Sequence, residues 1–339
     1  GLLLRPAAAT APAQPAGTMG SVLRGAAPRP FSQAMWRPGA RSGSIPSGMA
    51  KPASFEMSSS SRGLAASASG VARHGVPVAD PYGPMLDSVK VFGAINLLGL
   101  VVSLVTGSHL HLDLLGTGAF AIVAFLTRGP DLRSRMSATM VALWAVRLTS
   151  FLFYRALKLG HDARLDEVLS NISGTVAFWF ISFVWGVVTA LPHTLGAGSE
   201  AGRRPGLGCA AAAGLVLFAV GMYWETAADL QKWFFKQNPA NRGRPCTAGL
   251  WGYSQHPNYF GNLCIWSGIF LANFAPLAAA GKARLMLGAL SPFFLIALFY
   301  GQAAGAITNS VELAAQKYAG DSAYDDYVKK VPLVIPWPS

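Results

Sequence analysis

Charge is scarce in this sequence. Asp, Glu, Lys and Arg supply 12% of its 339 residues, about half the share usual in soluble domains. Combined with repeated long apolar runs, that shortage excludes an ordinary water-soluble globule and makes the bilayer the expected solvent. Cysteine is scarcer. Cys209, Cys246 and Cys264 form no CxxC pair, which excludes a disulfide framework and a thiolate zinc site. No His and acid cluster has ligand spacing, so no metal is expected. Acids are nearly missing from residues 1–79, where eight Lys and Arg face Glu56 alone. The net charge of +12 is therefore mostly a property of that stretch. No basic face interleaved with aromatics accompanies it, which excludes nucleic acid as a partner.

What residues 1–79 do contain is Ala, Ser, Pro, Gly and Arg, without an apolar period. Such a stretch cannot bury enough surface to offset its ordering entropy. Its Ser- and Arg-rich, acid-poor character is that of an organelle transit peptide. A plastid is the expected destination, with a mitochondrion or the endoplasmic reticulum as alternatives. Residues 80–339 form the membrane-embedded domain. Seven apolar stretches, roughly 88–106, 110–127, 136–157, 172–191, 207–226, 259–277 and 284–308, predict an all-α polytopic bundle of about seven transmembrane helices. Frequent Gly inside them favours close helix packing. The basic residues divide almost evenly between the two sides, so orientation stays open. His109, His111 and His193 read as solvated residues at span ends. Asn96, Asn273 and Asn309 read as interhelix hydrogen-bonders or pocket lining.

The segment between the fifth and sixth stretches, "YWETAADLQKWFFKQNPANRGRPCTAGLWGYSQHPNYFGNLCIWSG", mixes acids, bases, amides and aromatics at a membrane boundary. Ionisable groups there are costly unless paired or functional. Glu225 and Asp229 share a helix face, and Lys232 and Lys236 follow on it, either as surface pairs or as a polar stripe facing a cofactor. In "SQHPNYFG", Pro257 reads as the first residue of a helix with His256 at its cap. The orphan amides of that start, with Asn258 and Tyr259, could hold an anion. Gly261 would allow backbone or ligand to approach closely.

"GLWGYSQHPNYFGNLCIWSG" resembles the signature of the steroid 5α-reductase C-terminal-domain-like family. The likeness extends upstream through "ETAADLQKWFFKQNP" and "LWAVRLTSFLFYRALKLGHDARLDEV", and downstream through "YDDYVKKVPLVIPWP". It implies NADPH as cofactor, held by Glu225, Asp229, Lys236, Asn258, Tyr259 and Gly261, with His256 beside them. Lys236, Arg242 and Arg244 would meet the 2′-phosphate, since clustered cations suit phosphate. Three positions depart from the pattern. Gln255 stands for an Arg, Glu225 stands for an Asn, and Asn262 stands for a Glu that lies near the nicotinamide in the reductases. The implied chemistry is hydride transfer to a conjugated C=C bond of an apolar, isoprenoid-like small molecule, with an acid for the neighbouring carbonyl. Tyr154, beside Arg147 and Arg155, is the candidate acid. The Gln-Glu pair that steroid reductases use for the ketone has no match. Two alternatives stay open. Membrane methyltransferases that use S-adenosylmethionine share a His-Pro-x-Tyr-x-Gly element. A degenerate, non-catalytic lipid-binding protein would explain Gln255 and Asn262.

Overall fold

The computed structural model describes residues 80–160, 166–198, 207–307 and 310–337. The stretch read as a transit peptide, the "HDAR" part of the third-span motif and Asn309 lie outside the described residues. Among the described residues the chain is helical without strands: α1 Gly83–Thr106, α2 Leu112–Leu126, α3 Leu132–Leu159, α4 Asp166–Leu169, α5 Ile172–Ala197, α6 Cys209–Gln237, α7 Pro257–Ala279, α8 Lys282–Ala303, α9 Ser310–Lys317 and α10 Ser322–Lys330. Six of them, α1, α3, α5, α6, α7 and α8, are long and apolar enough to cross a membrane. The remaining apolar stretch, the second at 110–127, forms α2, whose 15 residues span only about 22 Å against roughly 30 Å of hydrocarbon. Helix ends follow local chemistry. Asp131 caps α3 by accepting from the Ser134 amide at 3.0 Å, and Asn171 caps α5 through the Gly174 amide at 2.7 Å. Gly160 ends α3 at φ 68°, a left-handed turn that glycine adopts without strain.

The outward faces are apolar. Val105, Ile172, Met286 and Phe293 are 69–78% exposed, a surface that suits lipid and not water. Inside, Phe120 is the hub of an aromatic centre. Its ring lies 4.8 Å from Phe92, 5.0 Å from Trp185, 5.1 Å from Trp144 and 5.5 Å from Trp266. These contacts tie α1, α2, α3, α5 and α7 together.

The closest helix pair is α6 with α7. Gly214 and Gly221 on α6 face Gly268 and Gly261 on antiparallel α7. A Cβ added to Gly221 would lie 2.6 Å from the Gly261 carbonyl, and one on Gly261 would lie 2.5 Å from the Glu225 amide. Small residues let the two backbones touch. Gly261 was expected to admit backbone or ligand; what it admits is the α6 backbone. Gly261→Ala should therefore push the helices apart and destabilise the protein by about 1–3 kcal/mol, the usual cost of overpacking. Thermal unfolding in detergent measures this, with Gly208→Ala as control, because no atom lies within 4 Å of a Cβ there.

At the end of the bundle where α3, α5 and α7 carry Arg133, Gly196 and Asn273, a buried polar chain links these three helices with the end of α2. Arg133 donates to Asn273 Oδ1 at 2.6 Å and to the Gly196 carbonyl at 3.2 Å. Asn273 donates to Ser137 Oγ at 2.8 Å. Ser137 and Thr127 each lie 3.0 Å from a ring nitrogen of His193. His193 is 0% exposed, so its reading as a solvated boundary residue is corrected: hydrogen bonds from both sides replace the water it gives up. Asn273 joins helices, as one of its two expected roles required.

Candidate functional site

The other end of the bundle gathers the residues singled out in the sequence. Here α6 runs beyond the apolar core, α7 begins, and the second half of α3 faces both. Glu225 is 4% exposed and is approached from two helices. Arg147 Nη1 of α3 is 3.7 Å from Oε1, and Asn262 Nδ2 of α7 donates to the same oxygen at 3.1 Å. One turn further along α6, Asp229 accepts from Arg147 Nη2 at 2.8 Å. Lys232 and Arg155 also act on Asp229. One guanidinium thus bridges two carboxylates that helical spacing had placed on one face.

The cluster is not saturated. Arg147 Nη1, Glu225 Oε2, Asn262 Oδ1 and Asn258 Oδ1 are buried without a hydrogen-bond partner. Each such group costs about 1–3 kcal/mol if nothing meets it. Four at one helix junction mark a place where a ligand or ordered water supplies the missing bonds.

The start of α7 is less bare than expected. The Tyr259 and Phe260 amides both return to the His256 carbonyl, at 3.1 and 3.3 Å, leaving the Asn258 amide as the one without a partner among the described residues. The Tyr259 ring is stacked between His256 at 4.9 Å and Phe299 at 4.7 Å. The tail after α10 is strapped across this start. Ser254 Oγ donates to Val334 at 2.7 Å, His256 Nδ1 lies 3.1 Å from the Leu333 carbonyl, and the Gln255 amide donates to Pro332 at 2.9 Å. Gln255 Nε2 donates to Val331 at 2.7 Å and Val328 at 3.0 Å. Burial lowers the His256 pKa to about 4, Lys232 adds to the fall, and the Leu333 carbonyl opposes it. The ring is therefore neutral at pH 7 and contributes a hydrogen bond in place of a charge. Tyr327 donates to the Trp251 carbonyl at 2.8 Å, and burial raises its phenol well above the usual range, with Cys246 adding to the effect.

The cations form a rim. Lys232 lies 3.9 Å above the Trp251 ring. Lys236 donates to Tyr318 at 2.8 Å and to the Arg244 carbonyl at 3.1 Å. Arg242 and Arg244 are exposed, and neither guanidinium has a partner among the described residues. Tyr154 is not brought to the cluster. It is 48% exposed, with its ring edge-on to Trp233 at 5.7 Å. Arg147, read as a neighbour of Tyr154, turns instead to α6. That link was missed, although a charged residue inside a span was the available signal. A separate open cleft of about 280 Å³ at the far end, lined by Asp80, Asp87, Thr127 and Arg128 among others, includes no residue of the cluster. Among the described residues no group of His, Cys, Asp and Glu could hold a metal ion.

A fungal protein named "Probable O-methyltransferase ustE", from Ustilaginoidea virens, is 40% identical over 81 residues, covering 24% of this chain and 28% of that protein. The match thus spans less than a third of the relative's length. No solved structure matches the chain. A family model described as "Protein of unknown function (DUF1295)" matches residues 99–331, from the middle of α1 to the end of α10, and the chain belongs to that family.

Proposed function

We propose that this protein is a membrane-embedded oxidoreductase that uses NADPH to saturate a conjugated C=C bond of an apolar, isoprenoid-like molecule. The observation that carries the reading is the Glu225–Asn262 pair, with Nδ2 and Oε1 3.1 Å apart. Against the reductase pattern, both positions depart: Glu where an Asn is expected on α6, and Asn where a Glu is expected on α7. Because the two side chains touch, this is one exchange. The carboxylate and the amide have traded helices, and the site keeps both.

The residues present fit such a cofactor. The unpartnered Arg147 N–H, Glu225 Oε2 and Asn262 Oδ1 offer one donor and two acceptors, a set that suits a carboxamide such as that of nicotinamide. Lys236, Arg242 and Arg244 would meet its phosphates, and Asn258 would add an amide. Asp229 fixes Arg147, Gly261 holds α6 against α7, and neutral His256 and Tyr259 brace the helix start. NADPH, when bound, supplies the hydride; the chain's own part is to orient both reactants and keep the pocket dry. Gln255 and Asn262, which motivated a degenerate, non-catalytic reading, both have structural work here, one holding the tail and the other Glu225. Tyr154 is offered as acid only if a substrate reaches between α3 and α6. The composition of residues 1–79 supports delivery to a plastid.

A second reading, an S-adenosylmethionine-dependent methyltransferase, is favoured by the match to the fungal protein and by the His256, Pro257, Tyr259 and Gly261 pattern. Thermal unfolding of purified protein separates the two. NADPH at one hundred times its Kd should stabilise by about 2.7 kcal/mol, and S-adenosylmethionine should have no effect. The opposite result would replace the reductase reading with the methyltransferase one.

A further inference from the structure

α8 begins at the end of the bundle away from Glu225, and its start is uncovered. Gly281 precedes it at φ 114°, a conformation that favours glycine, and supplies no side-chain cap. A Cβ placed on Gly281 would have no atom within 4 Å beyond its chain neighbours, so open space lies before the helix. The Leu285 amide returns to the Gly281 carbonyl at 3.2 Å. The Lys282, Ala283 and Arg284 amides have no partner among the described residues. Three orphan donors and the positive end of the helix dipole therefore meet there. A second feature points the same way. Arg284 is 7% exposed, yet it makes no hydrogen bond or ion pair with any described residue. What it meets is the Tyr82 ring, whose centroid is 4.7 Å from the guanidinium carbon. The nearby acids are engaged elsewhere: Asp80 accepts from the Tyr82 amide at 3.0 Å, and Asp87 pairs with Lys90 at 2.9 Å. A buried cation without an anion is costly, and a cation–π contact offsets only part of that. Arg284 is the third residue of α8, and helical side chains tilt toward the helix start, so its guanidinium leans toward the free amides.

We propose that this junction binds the phosphate of an anionic phospholipid, with Arg284 and the α8 amides on the phosphate oxygens and Lys282 beside them. Free amides at a helix start suit a phosphate, and a guanidinium donates to two of its oxygens at once. Lys282 is exposed on the same turn and adds a second cation. α8 is one of the crossing helices, so its first turn lies at the depth of lipid headgroups, where basic pockets between helices meet anionic lipids. The apolar surroundings favour a lipid over a soluble phosphate ester. Met85, Val188 and Leu285, from α1, α5 and α8, pack half-buried on one cluster at this junction, and Leu86 and Leu287 beside them are exposed. That wall would carry acyl chains, which a soluble ester lacks. A zwitterionic lipid brings its own ammonium to two cations and fits less well. No residue here belongs to the Glu225 cluster, so the inference stands apart from the reductase reading.

Native mass spectrometry of the full chain in detergent micelles tests this. The chain is titrated with phosphatidylglycerol and with phosphatidylcholine of the same acyl chains. The wild type should retain phosphatidylglycerol about tenfold more tightly than phosphatidylcholine. Arg284→Gln should lower phosphatidylglycerol affinity about tenfold and Lys282→Gln about fivefold, with phosphatidylcholine affinity unchanged. Arg135→Gln, which removes an exposed cation at the same end, should change neither. Glycerol 3-phosphate at the lipid's concentration should not displace it. Equal retention of the two lipids, an equal loss in Arg135→Gln, or displacement by glycerol 3-phosphate would overturn the proposal. Lys282 is exposed, so Lys282→Gln carries the test even if Arg284→Gln does not fold.

Discussion

Arg147→Met should lower the unfolding midpoint by about 10 °C and abolish cofactor-dependent stabilisation. Arg147 is the cation between Glu225 and Asp229, at 3.7 and 2.8 Å, and all three side chains are at most 16% exposed. Removing one partner of a buried ion pair leaves the remaining charges uncompensated, at a cost of about 3–5 kcal/mol, which for a domain of this size corresponds to that shift. Adding Glu225→Gln and Asp229→Asn to Arg147→Met removes the stranded charges, so the triple variant should recover most of the stability and none of the binding. Differential scanning fluorimetry with and without NADPH reads both. A single variant that melts like the wild type would show that the three groups do not form one buried unit.

Exchanging Glu225 and Asn262 should leave the site working, whereas either single change should not. Asn262→Glu sets two carboxylates against each other with one guanidinium to share, and its NADPH affinity should fall about thirtyfold. Glu225→Asn removes the carboxylate from the pair and should lose about tenfold. The double variant restores one acid and one amide on exchanged helices, and its affinity should return to within about threefold of the wild type. Groups in direct contact show coupling of about 0.5–3 kcal/mol in such cycles. Additive losses in the double variant would mean that the two departures from the reductase pattern are independent, and the argument for a retained carboxylate would fail.

Both variants probe contacts that only the folded chain reveals, and the limits of the sequence are visible residue by residue. The helix beginning at Pro257 was legible because proline at the first turn is a local signal, as was the shared face of Glu225 and Asp229, fixed by the 3.6-residue period. The apolar runs located six crossing helices and the shorter α2, although α5 and α6 run on past those stretches to Ala197 and Gln237. Periodicity says which side chains share a face but not which helix that face meets. Arg147 is 82 positions from Asp229, and Asn273 is 136 from Ser137. No spacing rule reaches that far.

The sequence by itself determined that this protein is a helical bundle suited to a bilayer, and where its polar segment lies, because hydrophobic length and helix-start chemistry are properties of short stretches. Only the tertiary structure decided that Arg147 serves α6 instead of Tyr154, that Gly261 admits a backbone, that His193 is buried, and that Glu225 and Asn262 form one unit. Each of these depends on which helices lie side by side. In this bundle that is set by the fit of glycines, aromatics and paired charges across helices distant in the chain.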